Sequence, residues 1–397
     1  MARAATATAA PAANPVQSGP VCLIHGDDDF AVRQRARQLH QQWSAELGGT
    51  DHEIIDAQAA NSAEALKALA RLREAMQTLP FFGSGKVIWL QNCNFLGDDR
   101  TASAAAVTET LAEVSQELKQ FSWQAVRLIV SAGKVDKRKT FYKTLEKLGS
   151  VETFAAWSFD DKDWAGQAES AARRALKARK KEMPEEALAE LINRVGPHSQ
   201  QLANEIEKVC LYVGERTRID LPDVSAVVIR NKHARAFAVA EALGDRELPR
   251  LLRTLDEELW GLQFDKQKSE IGLLYGLISK VRSMIFLKEM IRENWVKPDA
   301  DYSRFKSQLE RVPPDIFPQD RRFNPLSMHP YVLHKALAQA GRYTAPELIR
   351  AMDLLLQCNQ RLVSSGLDEA LVLQQTLVEI VRGEAALDPA PTAGSAA

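Results

Sequence analysis

An unbroken apolar run, Val21-Cys22-Leu23-Ile24, is followed at once by the polar turn His25-Gly26-Asp27-Asp28-Asp29 and then by an amphipathic stretch from Phe30 to Leu47. A short apolar run bounded by a glycine turn is what a strand covered on both faces looks like, and such strands belong to parallel sheets with helices on each side. The same alternation continues downstream. Glu53–Asp56, Val87–Leu90, Val126–Val130 and Val151–Phe154 read as further strands. Between them, Ser62–Gln77 places Ala65, Leu69, Leu72 and Met76 at helical spacing, and Thr108–Phe121 reads as another helix. Strands alternating with helices predict an α/β layer with a mostly parallel sheet.

From Asp160 onward the pattern is helix after helix. Trp164–Lys181, Pro184–Val195 and Ser199–Tyr212, with a short helix from Pro222 to Ile229, are punctuated by Gly196-Pro197 and Gly214 and predict a small helical bundle. Phe237–Leu243, Glu247–Trp260, Glu270–Asn294, Tyr331–Gln339, Ala345–Ser364 and Leu367–Arg382 predict a second all-helical unit. Lys297–Asn324 is polar, proline-containing and weakly periodic, and reads as an insertion. In Ala345–Ser364, residues Leu348, Met352, Leu355, Leu356 and Leu362 recur at helical spacing and are expected in the core. A chain of 397 residues is too long for one core. The expected division is a disordered tail at 1–19, an α/β domain at 20–157, a helical domain at 158–230, a second helical domain at 231–384 with its insertion at 297–324, and a tail at 385–397.

Composition excludes several classes. The formal net charge of -1 argues against a protein that coats nucleic acid generally, although local basic patches remain open. Cys22, Cys93, Cys210 and Cys358 are far apart, match no zinc or disulfide spacing, and fit a reducing cytoplasm. No run approaches the length of a membrane helix, and the Ala/Thr/Pro-rich start is not a signal peptide. The histidines are scattered, and the nearby pair His329 and His334 lacks further ligands, so neither a metal nor a nucleophilic site is expected.

The turn after the first strand is where a nucleotide-binding fold carries its phosphate loop. That loop needs G-x-x-x-x-G-K-[ST], so that backbone amides and a lysine cradle the phosphates. Here the turn has three aspartates, no lysine and no second glycine, and like charge repels a triphosphate. Gly83-Ser84-Gly85-Lys86 resembles a fragment of such a loop, but it leads into a strand and has Val87 where Ser or Thr belongs. Neither Val87–Leu90 nor Val126–Val130 ends in the acidic pair that would hold magnesium. No catalytic residue and no cofactor are expected.

Two stretches stand out as contact candidates. Leu79-Pro80-Phe81-Phe82-Gly83 sets adjacent phenylalanines on a corner before a buried strand. Such rings either tuck into the core, the commoner fate of apolar residues flanking a strand, or stand out to anchor a partner. Lys134 to Lys143 is a basic run opening a helix, with Lys134, Lys137, Arg138, Lys139 and Lys143 available to DNA phosphates or an acidic subunit, or simply solvated. The same applies to Arg173, Arg174, Lys177, Arg179, Lys180 and Lys181.

The chain resembles an AAA+ clamp-loader subunit, and most closely the delta-subunit family of the bacterial DNA polymerase III clamp loader, over about residues 20–383. The resemblance is carried by Leu23 to Phe30, Phe81-Phe82-Gly83-Ser84, Asp136-Lys137-Arg138-Lys139 and Leu202 to Lys208. It continues in Ala236 to Gly244, His329-Pro330-Tyr331-Val332 and Ser365-Gly366-Leu367-Asp368. No single stretch is a signature; their order and spacing make the match. The resemblance implies an AAA+-like N-terminal domain with a degenerate nucleotide site, a helical lid and a C-terminal helical collar. It implies a protein that hydrolyses no ATP and opens the ring-shaped sliding clamp during DNA replication. The family's apolar pair, inserted into a pocket on the clamp, falls on Phe81 and Phe82, with Leu79 and Pro80 as neighbours. The implied partners are the clamp, the tau/gamma and delta-prime subunits through the collar at Tyr331–Arg382, and DNA through the assembled complex. The insertion, the long N-terminal tail and the acidic Asp27-Asp28-Asp29 turn depart from the family pattern. The Ser-Arg-Cys motif and the zinc module of the sister subunits are absent from the sequence. Two alternatives remain at this point: a helical scaffold with a degenerate α/β domain, and a true AAA+ ATPase motor.

Overall fold

The computed structural model describes residues 19–48, 50–78, 84–158, 161, 163–229, 232–262 (232–237 by backbone alone), 269–318, 320, 323–364 and 366–383. The chain forms two compact units, Met1–Trp157 and Ser158–Ala397.

The first unit is built on a five-stranded parallel sheet: β1 (Val21–His25), β2 (Glu53–Asp56), β3 (Lys86–Cys93), β4 (Val126–Ala132) and β5 (Gly149–Thr153), in the order β2-β3-β4-β1-β5. Helices α1 (Asp29–Leu47), α2 (Ser62–Gln77), α3 (Ala105–Gln120) and α4 (Thr140–Leu148) connect them. Alternate residues of each strand feed opposite faces. Cys22, Ile24, Val87, Trp89 and Ile129 pack with Val32, Ala36, Leu39 and Trp43 of α1. Val21, Leu23, Ile88, Leu90, Leu128 and Val130 pack with α2, α3 and α4. The division follows from handedness. The β1 connection runs one way along the sheet and the other three run back, so right-handed crossovers put α1 alone on one face.

The second unit is helical: α5 (Trp164–Ala178), α6 (Glu185–Val195), α7 (Ser199–Val213), α8 (Leu221–Val227), α9 (Lys232–Gly244), α10 (Leu248–Leu262), α11 (Glu270–Arg292), α12 (Tyr302–Leu309), α13 (Pro330–Ala340), α14 (Ala345–Ser364) and α15 (Glu369–Arg382). Helix α11 is long and apolar on several sides because α9, α13 and α14 surround it. None of the described helices is long and apolar enough to cross a membrane.

Within the stretch 297–324, read as an insertion, Ala300, Phe305, Leu309, Val312 and Phe317 are buried with α11 and α13. Its polar composition hides the spacing of Tyr302, Phe305 and Leu309, which is that of one helix face. Leu356, expected in the core, is 56% exposed. The buried stripe of α14 is Leu348, Ala351, Leu355 and Cys358, and Met352 and Leu362 pack partly buried against the same core. Smaller differences lie at element ends: β3 and β4 extend beyond the expected Leu90 and Val130, α3 starts before Thr108, and α5 stops before Lys181.

Candidate functional site

The β1–α1 turn lies at the switch point of the sheet. The connection from β1 leads toward β2 while that of its neighbour β4 leads toward β5, and open parallel sheets take ligands in the crevice at such a point. In this protein backbone hydrogen bonds close the turn. The Gly26 N–H donates to the carbonyls of Ala132 (3.3 Å) and Gly133 (3.2 Å), and the Asp28 N–H to that of Phe154 (3.2 Å). The Phe154 N–H in turn donates to the His25 carbonyl at 2.8 Å. A Cβ on Gly26 would stand 1.8 Å from the Phe154 oxygen, and its φ of +147° is one that suits glycine. The buried Asp28 caps α1 by accepting from the Ala31 N–H at 2.9 Å, while Asp27 and Asp29 are exposed beside it. His25 is buried, 3.2 Å from the Thr153 hydroxyl. Burial holds its pKa below the ordinary value, and nearby Lys137 pushes it the same way.

Leu79, Pro80, Phe81 and Phe82 lie outside the described residues. Thr78 ends α2, donating its N–H to Glu74 (3.2 Å) and its hydroxyl to the Ala75 carbonyl (3.1 Å). On the other side, Ser84 donates both its N–H (3.0 Å) and its hydroxyl (2.7 Å) to the Leu47 carbonyl. Lys86 opens β3 and is 2% exposed. Its ammonium donates to the Ala75 carbonyl at 2.9 Å, to the Thr78 hydroxyl at 2.7 Å and to the Glu53 carboxylate. An ammonium has three N–H donors, so none is left over for a phosphate.

The basic run divides into committed and uncommitted charges. Lys139 donates to the Ala102 carbonyl at 2.7 Å, Arg138 forks onto Asp136 with both contacts at 2.9 Å, and Lys134 stands 3.5 Å from Asp98. The Arg138 guanidinium holds the Asp136 carboxyl down at about 2. Among the described residues no ion pair reaches the exposed Lys137 and Lys143. Only Lys143 is on α4; the other four precede it. Behind the run, a cavity of about 200 Å³ is lined by Leu23, Leu96, Leu111, Val135 and Phe141.

In the second unit the C-terminal helices carry a polar cluster and an exposed apolar stripe. The buried Lys280 ammonium donates to Glu241 at 2.7 Å, and Gln339 donates to Asp245 at 2.9 Å. Gly244 faces this cluster closely, since a Cβ there would meet the Gln339 amide at 2.7 Å. Burial depresses the Lys280 pKa, against the pull of Glu241. On the outer side of α14, Ile349, Leu356 and Val363 are 57%, 56% and 70% exposed. They recur every two helical turns and so form one line along the helix. Among the described residues no cluster of histidine, cysteine and acidic side chains suits a metal ion.

These features define a class: an α/β domain with a five-stranded parallel sheet whose β1–α1 turn is closed by its own backbone hydrogen bonds, followed in the chain by an all-helical unit. Residues 23–154 match the family described as DNA polymerase III, delta subunit. The DNA polymerase III subunit delta of Bacillus subtilis (strain 168) is 22% identical over 315 residues, which is 79% of this chain and 80% of that protein. By family model over residues 23–154 and by relative over most of its length, the chain is similar to the delta subunit of DNA polymerase III. Among solved structures, the DNA clamp loader delta protein of Bacillus subtilis is 17% identical and aligns over 92% of this chain and 96% of that one with a TM-score of 0.43. The RuvB Holliday junction branch migration motor of Thermotoga maritima is 13% identical and aligns over 52% and 59% with a TM-score of 0.31.

Sequence reasoning singles out Lys86 only as a failed phosphate-loop lysine, and it passes over the partners Glu53 and Thr78. The available signal is a lone cation opening an otherwise apolar strand, which demands buried acceptors.

Proposed function

We propose that the chain is the clamp-loader delta subunit of DNA polymerase III, and that its N-terminal domain binds and opens the ring-shaped sliding clamp so that the ring is loaded on primed DNA. The observation that carries this reading is the family match over residues 23–154, which falls on the α/β unit and includes residues 79–83. Phe81 and Phe82, flanked by Leu79 and Pro80, are the clamp anchor: an adjacent apolar pair is suited to a partner's pocket. Differential affinity for the open ring shifts its population toward opening. The hydrogen bonds that close the β1–α1 turn support a subunit that responds to ATP bound elsewhere in the assembly and hydrolyses none itself. Residues 158–230 serve as the lid and 231–384 as the collar that associates with the tau/gamma and delta-prime subunits. Lys137 and Lys143, which no ion pair engages among the described residues, are the members of the basic run suited to DNA phosphate or an acidic neighbour. The work is cytoplasmic.

The test is binding of the chain to the sliding clamp of the same organism, beside a Phe81→Ala/Phe82→Ala variant shown to be folded. Loss of about 2 kcal/mol or more of binding is expected for a hot-spot pair. Equal binding by the variant removes the anchor assignment. No binding by wild type leaves a helical scaffold as the better reading.

A further inference from the structure

We propose that Lys86 is a positioning residue for the clamp contact: its buried ammonium fixes the end of α2, where residues 79–83 leave, against the start of β3, where they return. The inference rests on the clamp reading above and deepens it. A lysine withdrawn from water is costly, and an apolar residue opening β3 would serve packing as well. What Lys86 adds is directional. One bond holds the Ala75 carbonyl in the last turn of α2, where a cation is favoured by the helix dipole. A second reaches Glu53 at the start of β2, the strand paired with β3. The third goes to the hydroxyl of Thr78, a residue that is itself exposed.

The opposite stem is fixed independently by the double contact of Ser84 with the Leu47 carbonyl. Both ends of a five-residue connection are therefore held by side-chain hydrogen bonds to different elements, Thr78 to Lys86 of β3 on one side and Ser84 to Leu47 of α1 on the other. Fixing the stems before association lowers the ordering cost of presenting whatever the connection carries.

The test compares Thr78→Val, Thr78→Ser and Lys86→Met in the full chain, reading hydrogen exchange at the Thr78 and Ser84 amides and affinity for the sliding clamp. Thr78 is exposed, so its variants keep the fold even if Lys86→Met is destabilised. Expected are faster exchange at Thr78 and about tenfold weaker clamp binding for Thr78→Val and Lys86→Met, with Thr78→Ser like wild type because it keeps the acceptor. In a Phe81→Ala/Phe82→Ala background, Thr78→Val adds no further loss. Wild-type affinity in Thr78→Val and Lys86→Met overturns the role while leaving clamp binding intact. Equal weakening by Thr78→Ser and Thr78→Val overturns it as well, since the hydroxyl would then count for nothing. If wild type binds no clamp, the clamp reading falls first and this role falls with it.

Discussion

Arg35 on α1 grips Glu152 on the edge strand β5 through two parallel contacts, Nε to Oε2 at 2.7 Å and Nη2 to Oε1 at 2.8 Å. The two side chains are 25% and 21% exposed, so water screens the pair only in part. Through it the helix on one face is tied to a strand that has a neighbour on one side only. Two-pronged guanidinium–carboxylate contacts are the stronger kind of ion pair. Arg35→Met is expected to cost about 1–2 kcal/mol, because it leaves Glu152 half-buried without its partner. Urea denaturation followed by tryptophan emission measures it, and the swapped pair Arg35→Glu/Glu152→Arg should recover part of the loss.

The β1–α1 turn makes a sharper demand. Gly26→Ala places a methyl 1.8 Å from the Phe154 oxygen at a φ of +147°. Relief requires the Phe154 segment to withdraw and give up the Asp28 and Phe154 amide hydrogen bonds. A loss of about 3 kcal/mol or more is expected from strain and broken hydrogen bonds together. The same closed turn predicts that millimolar Mg-ATP leaves the melting temperature of the isolated chain unchanged, whereas a ligand at a hundred times its Kd would add about 2.7 kcal/mol. Thermal scans with and without nucleotide decide it.

Lys137 and Lys143 differ from the other cations of the basic run in having neither an internal ion pair nor a side-chain hydrogen bond among the described residues. If the run meets DNA in the assembled loader, Lys137→Ala/Lys143→Ala should lower the slope of log affinity against log salt by about 0.9 for each phosphate no longer neutralised. Arg138→Ala should change the slope less, since that guanidinium is already engaged with Asp136. Fluorescence anisotropy of primed DNA over a salt series separates the two.

How much of the fold is legible in the sequence depends on which residues carry the signal. β1, β2, α1 and α2 are readable because runs such as Val21–Ile24 and the Ala65, Leu69, Leu72, Met76 stripe each have one period and one burial outcome. α12 is not, because Tyr302, Phe305 and Leu309 sit among charged and proline residues that swamp a composition-based reading. α14 misleads in the opposite sense: it is apolar on two sides, and periodicity does not say which side faces inward. Leu355 and Leu356 are neighbours in sequence and opposite in burial. The Lys86 hydrogen bonds join positions 53, 75, 78 and 86, a relationship created by strand pairing and invisible to any local pattern.

Glu347 supplies a pH test. Its carboxyl is held down at about 2, first by the hydrogen bond from Arg246 at 2.6 Å and then by the Thr344 N–H at 2.7 Å, against an ordinary value of 4.5. A carboxyl whose folded pKa is depressed adds stability that is fully present above its unfolded pKa and is lost as pH falls through the folded one. Glu347→Gln should therefore be less stable than wild type above pH 4.5, with the gap closing as pH falls toward about 2. Arg246 also donates to the carbonyls of Val381 (3.2 Å) and Arg342 (2.7 Å), so it keeps a place in the variant and the comparison isolates the carboxylate. Denaturation midpoints across that range give the answer.

The contrast between Leu355 and Leu356 separates folding from association. Leu355 is 0% exposed within the core of the second unit, and Leu355→Ala is expected to cost about 2–5 kcal/mol as a large-to-small core change. Leu356 is 56% exposed in line with Ile349 and Val363, and Leu356→Glu should alter stability by no more than about 0.5 kcal/mol. A charge in the middle of that line should nevertheless weaken assembly with the other clamp-loader subunits if the collar reading holds, because a desolvated carboxylate without a partner is costly at an interface. Sedimentation of mixed subunits, read beside denaturation of each variant alone, checks both halves. Wild-type assembly by Leu356→Glu would move the association surface off this face of α14, and a large stability loss would mean that the residue is buried in the folded chain after all.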